Sequence, residues 1–153
     1  MTATSKQALK ADTQKLFDMV VRGLAAQNWL PSTTLDRHNK RSRSYYRHAG
    51  RKCAIGQLIK DELYDPEIET LGVCNHEVLS VVGASTGIDM SNKEIVHFLV
   101  KMQMKHDCCI SEVDLANEEN EETRRKICDT LRRTFRSLAK ELELKWPAEL
   151  VAS

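Results

Sequence analysis

The sequence predicts a mainly α-helical fold, a compact bundle of about five helices, with one short strand or β-hairpin allowed near residues 44–54. Apolar residues recur at helical spacing in several segments. Ser or Asn residues that can cap a helix precede most of these segments. A content of 41% hydrophobic and 29% charged residues is typical of a globular chain that buries a core. No linker or repeat divides the chain, so we expect a single domain over residues 1–153.

The first quarter of the chain predicts one helix followed by polar connections. The helix begins at Ser5, a suitable N-cap, and its apolar pattern stops near Asn28. Residues 31–43 are polar and without period, which predicts a loop. Residues 44–48 fit a short strand, and the sequence "HAGR" after it fits a turn.

Two further helices are predicted in the middle of the chain. The second helix follows the basic stretch and ends before Pro66, because its apolar residues are spaced i, i+3, i+4 and i+8: Ile55, Leu58, Ile59 and Leu63. The third helix has Asn75 as its N-cap and Gly83 as its end.

The last third of the chain predicts three helix starts. Ser91 and Glu94 form a capping box, and Ser111 with Asp114 forms a weaker one. The final helix extends from residue 121 to about residue 144. Its acidic start and basic end suit the helix dipole.

Charge and cysteine content restrict the cellular setting. The net charge is +1, so an anionic partner must be bound by a local patch of charge. No leader sequence is visible, and no apolar run reaches the roughly 18 residues that span a bilayer. Five cysteines without a Cys-x-x-Cys pair indicate reduced thiols. We therefore expect a cytoplasmic protein that does not bind a membrane.

Cys53 is the candidate nucleophile. If a helix begins there, its dipole and the neighbouring Arg51 and Lys52 would lower the pKa of the thiol. His106 followed by Asp107 would then complete a Cys-His-Asp arrangement. We favour the alternative, in which Cys53 packs in the core as a small apolar residue, because no signature of a cysteine protease surrounds it.

Four side chains could form a metal site: Cys74, His76, His106 and Cys108. Together they would supply the two sulfur and two nitrogen ligands of a tetrahedral zinc site. The usual spacings of zinc ligands are absent, and Asn75 with His76 is explained as a helix start. We therefore favour a chance grouping, and the sequence predicts no metal and no cofactor.

The stretch from Arg37 to Lys52 is the candidate binding segment. It carries seven Lys or Arg residues, two tyrosines and no acidic residue. Guanidinium groups can neutralise phosphates, and tyrosine rings can stack on bases. Alternatively, the segment is a solvated loop, or it pairs with the acidic residues 61–69. The predicted binding residues are Arg37, Lys40, Arg41, Arg43, Tyr45, Tyr46, Arg47, Arg51 and Lys52.

Three segments resemble a group of small bacteriophage and prophage proteins: "GRKCAIGQLIKDELYDPEIE", "LVKMQMKHD" and "LRRTFRSLAKELEL". Only the central Cys-Ala-Ile-Gly motif is specific to that group. Gln57 and Lys60 depart from its pattern, which has a small residue and a proline there. The resemblance implies a compact helical fold and a viral or mobile-element origin, and it implies no activity.

Three function classes follow from the sequence. The first is a small cytoplasmic phage-type protein that binds a host component, either a protein or a nucleic acid, without catalysis. The second is a nucleic-acid-binding protein that uses residues 37–52. The third is a hydrolase or transferase with Cys53 as nucleophile and His106 as base.

Overall fold

The fold is mainly helical, as predicted, with five α-helices and two small antiparallel hairpins among the described residues. The computed structural model describes residues 2–36, 38 and 41–151. None of the helices in these ranges is both long enough and apolar enough to cross a membrane. The elements are α1 (Ala3–Ala26), β1 (Thr33–Asp36), β2 (Arg41–Ser44), β3 (Arg47–His48), β4 (Arg51–Lys52), α2 (His76–Thr86), α3 (Lys93–Cys108), α4 (Glu112–Ala116) and α5 (Glu121–Glu141), with short 3-10 segments at Gly56–Leu58, Asp61–Leu63, Pro66–Thr70 and Ala148–Leu150.

Helices α1, α3 and α5 form the main core. The helix α3 packs against both α1 and α5. Phe17, Leu99, Leu131 and Phe135 are completely buried between them. Burying each such side chain contributes on the order of 1.5–3 kcal/mol, so the helical spacing of apolar residues accounts for these three helices.

A second, smaller core lies under α4. Ile110, Leu115 and Ile127 are buried there, and Leu35 of β1 packs against them. The helix α4 contacts β1, β2 and α5. This core therefore attaches the first hairpin to the helical bundle.

For the five α-helices that form, the predicted starts are correct to within three residues. Ser111 caps α4 as expected, since its side chain accepts a hydrogen bond from the backbone of Asp114. The first helix begins earlier, with Thr2 as its N-cap, and Asn92 rather than Ser91 caps α3. Ser91 is instead held in a turn, where its backbone N–H donates to the Asp89 carboxylate over 2.9 Å.

The end of α2 differs from the prediction. Asn75 caps its start as expected, but the helix continues past Gly83 to Thr86. Gly83 lies inside the helix, where a β-carbon would come within 3.2 Å of the Met90 side chain. Gly87 ends the helix in the left-handed conformation, with φ of 72°, which glycine adopts without strain.

Residues 31–43, predicted as a loop, contain most of the hairpin β1–β2. Thr33 pairs with Ser44 and Asp36 pairs with Arg41, with a 2.7 Å hydrogen bond between the hydroxyls of Thr33 and Ser44. The polar composition obscured the pattern, because the two strands contain a single large apolar residue, Leu35, which packs partly buried against the small core under α4. The loop prediction was therefore wrong.

The second predicted helix is also wrong, because residues 53–70 form short 3-10 segments instead. In an α-helix the Lys60 N–H would donate to the carbonyl of residue 56. Here it donates to the Ser85 hydroxyl over 3.0 Å, and the Ile55 N–H donates to the Gln103 side chain over 3.0 Å. Partners on α2 and α3 thus replace the helical pattern, and Pro66 begins a 3-10 segment rather than following a helix.

The second hairpin, β3–β4, confirms the turn predicted in "HAGR". Ala49 and Gly50 both have positive φ, at 50° and 76°. Two consecutive residues of this kind make the type I′ turn that suits a two-residue hairpin.

Gly56 provides a test of this local packing. A β-carbon at Gly56 would lie 2.0 Å from the backbone oxygen of Tyr46, whereas one at Gly72 meets no atom within 4 Å. We expect Gly56→Ala to lower the free energy of unfolding by about 3 kcal/mol, at the upper end for overpacking. The control Gly72→Ala should change it by less than about 0.5 kcal/mol. Urea unfolding followed by circular dichroism measures both, and equal values would contradict the close contact.

Candidate functional site

Cys53 lies in the core, as the favoured interpretation of the sequence predicted. Its side chain is completely buried, and its sulfur accepts a hydrogen bond from the Gly56 N–H over 3.3 Å. Burial raises the pKa of the Cys53 thiol to about 12. A nucleophilic cysteine needs the opposite shift, because the thiolate is the reactive form. The helix start that was expected to lower this pKa is absent from the fold.

The other two candidate catalytic residues belong to a hydrogen-bonded network on α3. The His106 Nδ1 lies 2.9 Å from the Asp107 Oδ1, which also accepts a 2.7 Å hydrogen bond from the Gln103 amide. The Gln103 oxygen in turn accepts from the Ile55 N–H. This network connects α3 to the segment around Cys53 through Gln103.

Sequence reasoning missed Gln103 because only its position reveals its role. It follows Leu99 by one turn on the buried stripe of α3, and it is itself buried. A polar residue on an apolar stripe needs hydrogen-bond partners, which Ile55 and Asp107 supply here. That pattern is the only trace of the network in the sequence.

The four candidate metal ligands do not assemble into a site. His106 is completely buried, whereas Cys74 and Cys108 are exposed. Among residues 2–36, 38 and 41–151, no three His, Cys, Asp or Glu side chains are grouped so that they could hold a metal ion.

Three cations of the basic segment are paired within the chain. Arg47 and Lys52 each lie 2.9 Å from the Asp61 carboxylate. Arg51 pairs with Glu118. The Lys52 hydrogen bond, together with the charges of Lys52 and Arg47, lowers the pKa of Asp61. Pairing with the acidic residues 61–69, one of the alternatives for this segment, therefore occurs for two of its cations.

The two tyrosines of the segment have different environments. Tyr46 is buried, and its hydroxyl donates to the Leu71 carbonyl over 2.8 Å. Its burial raises the pKa of the phenol. In this structure the Tyr46 ring therefore has no exposed face on which a base could stack. Tyr45 is half-buried and reaches the surface.

Arg43, Tyr45 and His48 form an exposed stack of planar groups. The Arg43 guanidinium lies 4.8 Å from the centre of the Tyr45 ring. The His48 ring is stacked on Tyr45 at 4.9 Å between ring centres and 23° between planes. Arg43 and His48 are both exposed, so these two members of the stack are open to solvent.

Of the remaining predicted binding residues, Arg41 is the one that the structure describes. Arg41 is exposed on β2, and because side chains alternate along a strand it shares a face with Arg43. Arg37 and Lys40 lie outside the described residues.

A groove of about 620 Å³ lies along the surface where the first hairpin meets α4. Leu35, Leu115 and the 71% exposed Val113 give it an apolar lining, and Glu112 is one of three glutamates in its walls. Its size and lining allow a peptide side chain to enter.

Comparisons with known proteins do not assign a function to these sites. No family model, no curated protein and no solved structure matches the chain. The resemblance of the Cys-Ala-Ile-Gly segment to phage proteins stays a prediction, and the functional argument depends on the residues described above.

Alkylation tests the state of Cys53. At neutral pH, iodoacetamide should label the exposed Cys74 and Cys108 in the folded protein and leave Cys53 unlabelled, because burial disfavours its thiolate. After unfolding in urea all five cysteines should react. Peptide mass spectrometry gives the extent at each site. Labelling of Cys53 in the folded state at the rate of Cys74 would revive the nucleophile hypothesis.

Proposed function

We propose that the protein is a non-catalytic binding protein whose ligand is single-stranded nucleic acid, bound by the exposed face of its two hairpins. The observation that carries this proposal is the exposed stack of Arg43, Tyr45 and His48. Bases stack on aromatic rings and on guanidinium planes, and each stacked base contributes about 1–3 kcal/mol. Because the stack already holds three planar groups together, a base can extend it without ordering them.

The charges around the stack favour an anionic ligand. From Arg41 to Lys60 the chain contains no acidic residue. Since Arg47, Arg51 and Lys52 are paired internally, the positive charge that phosphates can meet is reduced. We therefore expect weak binding with a small salt dependence, of about 0.7 units of log affinity per log salt for each phosphate contact on a single strand.

A phage or prophage origin and a cytoplasmic location form part of the proposal. The origin is supported only by the motif around Cys53. The location is supported by the five cysteines, all of which are free thiols.

A protein partner is the second candidate, favoured by the groove between the first hairpin and α4. Its occupant would be a peptide segment with an apolar side chain beside a basic residue, because Glu112 stands near the exposed Val113. The burial of Cys53, which raises the pKa of its thiol, disfavours the hydrolase or transferase hypothesis.

Fluorescence anisotropy with a labelled nine-nucleotide oligouridine tests the first candidate. His48→Ala should weaken binding on the order of tenfold by removing a stacking face, with the salt slope unchanged. Arg43→Ala should weaken binding by a similar factor and should also lower the salt slope by about 0.7 if its charge meets a phosphate. Lys10→Ala, which removes an equal charge from an exposed position on α1, should have no effect.

Absence of binding to single-stranded RNA or DNA at low salt would reject nucleic acid as the ligand. Equal binding by the His48→Ala and Lys10→Ala variants would reject the stack as the binding site. The groove would then be the leading candidate site. It is supported if a protein captured in the presence of nuclease binds the Val151→Asp variant but not the Val113→Asp variant, since both valines are exposed.

A further inference from the structure

A small cavity lies directly beside the stack. Its volume is about 220 Å³, and Ser44, Tyr45, Gly72, Gln103 and Asp107 contribute to its walls. Pockets for drug-sized ligands usually measure about 300–1,000 Å³, so this one suits a single heterocycle rather than a whole nucleotide. Tyr45 belongs both to the stack and to the cavity wall, and this shared residue places the two features side by side.

Asp107 offers an open acceptor at this cavity. Its Oδ1 accepts from the amide of Gln103 and contacts His106, so the carboxylate is held in a fixed orientation. Among the residues that the structure describes, its Oδ2 accepts no hydrogen bond, and the side chain is 33% exposed. A fixed carboxylate oxygen in a small cavity suits a ligand that brings N–H donors.

Glu69 also contributes to the wall, but its carboxylate is already engaged. It accepts hydrogen bonds from the backbone N–H groups of Tyr46 and Arg47 and from the Tyr64 hydroxyl. Its negative charge adds to that of Asp107, so a phosphate is repelled from the cavity and the heterocycle is its favoured occupant.

We infer that this cavity receives one base of a bound single strand, and that Asp107 selects guanine there. The Watson–Crick edge of guanine presents a ring N–H next to an amino group, so two adjacent donors can converge on the open Oδ2 of Asp107. Uracil presents one N–H between two carbonyl oxygens, which the carboxylates of Asp107 and Glu69 repel. Adenine and cytosine present an amino group beside a ring acceptor and are intermediate.

This inference rests on the proposed function, since the strand must first bind at the hairpins. The phosphates then lie near Arg43 while one base turns into the cavity behind Tyr45. Recognition of an unstacked base by hydrogen bonds to its edge is the usual way in which proteins read single-stranded RNA. The stack thus supplies affinity, and the cavity supplies the preference for one base.

The test compares two labelled nine-nucleotide RNAs by anisotropy, one of uridine alone and one with a single central guanosine. The wild type should bind the guanosine RNA about tenfold more tightly. Asp107→Asn keeps the shape but replaces an acceptor with a donor, so it should abolish the difference and leave oligouridine binding intact. Asp89→Asn, at an exposed carboxylate outside the cavity, is the matched control and should keep the difference.

Gly72→Leu is the second variant, because a β-carbon there meets no atom within 4 Å and the Asp107 network is untouched. It should also remove the preference by occupying the cavity, even if Asp107→Asn fails to fold. Equal binding of both RNAs by the wild type overturns the cavity inference and leaves the proposed function standing. Binding of neither RNA overturns both.

Discussion

The surface of the two hairpins depends on the carboxylate of Glu69. It accepts hydrogen bonds of 2.9 Å from the N–H groups of Tyr46 and Arg47, and one of 2.6 Å from the Tyr64 hydroxyl. Hydrogen bonds to a charged acceptor are stronger than neutral ones, so they hold the backbone where one hairpin leads into the next. With the backbone held there, Tyr46 enters the core and Tyr45 turns outward. The exposed stack and the cavity behind it both follow from this orientation.

The helices could be predicted from the sequence because their evidence is local. Apolar spacing and caps lie within a few residues of each other, as in α5, which ends near its predicted limit. The 3-10 segments could not be predicted, because the partners that replace their helical bonds are distant. Gln103 is 48 residues from Ile55, and Ser85 is 25 residues from Lys60. No local pattern contains this information.

The candidate sites show the same difference between features with local evidence and features that depend on distant residues. The burial of Cys53 could be predicted from its residue type and its small neighbours. The density of charge in the basic segment was also visible in the sequence. The sequence did not reveal that three of these cations form ion pairs with Asp61 and Glu118. Tyr45 and Tyr46 are also equivalent in the sequence. They differ because the backbone between β2 and β3, where both lie, turns the Tyr46 ring into the core and leaves Tyr45 half-buried at the surface.

The small second core under α4 has a consequence for motion. Among the residues that the structure describes, three are buried in it, Ile110, Leu115 and Ile127, and α5 supplies Ile127. Few buried apolar contacts mean a low free energy of local opening. We therefore expect the first hairpin and α4 to open together while the bundle of α1, α3 and α5 stays folded. Their backbone amides would then exchange with solvent deuterium well before those of Leu99 or Leu131.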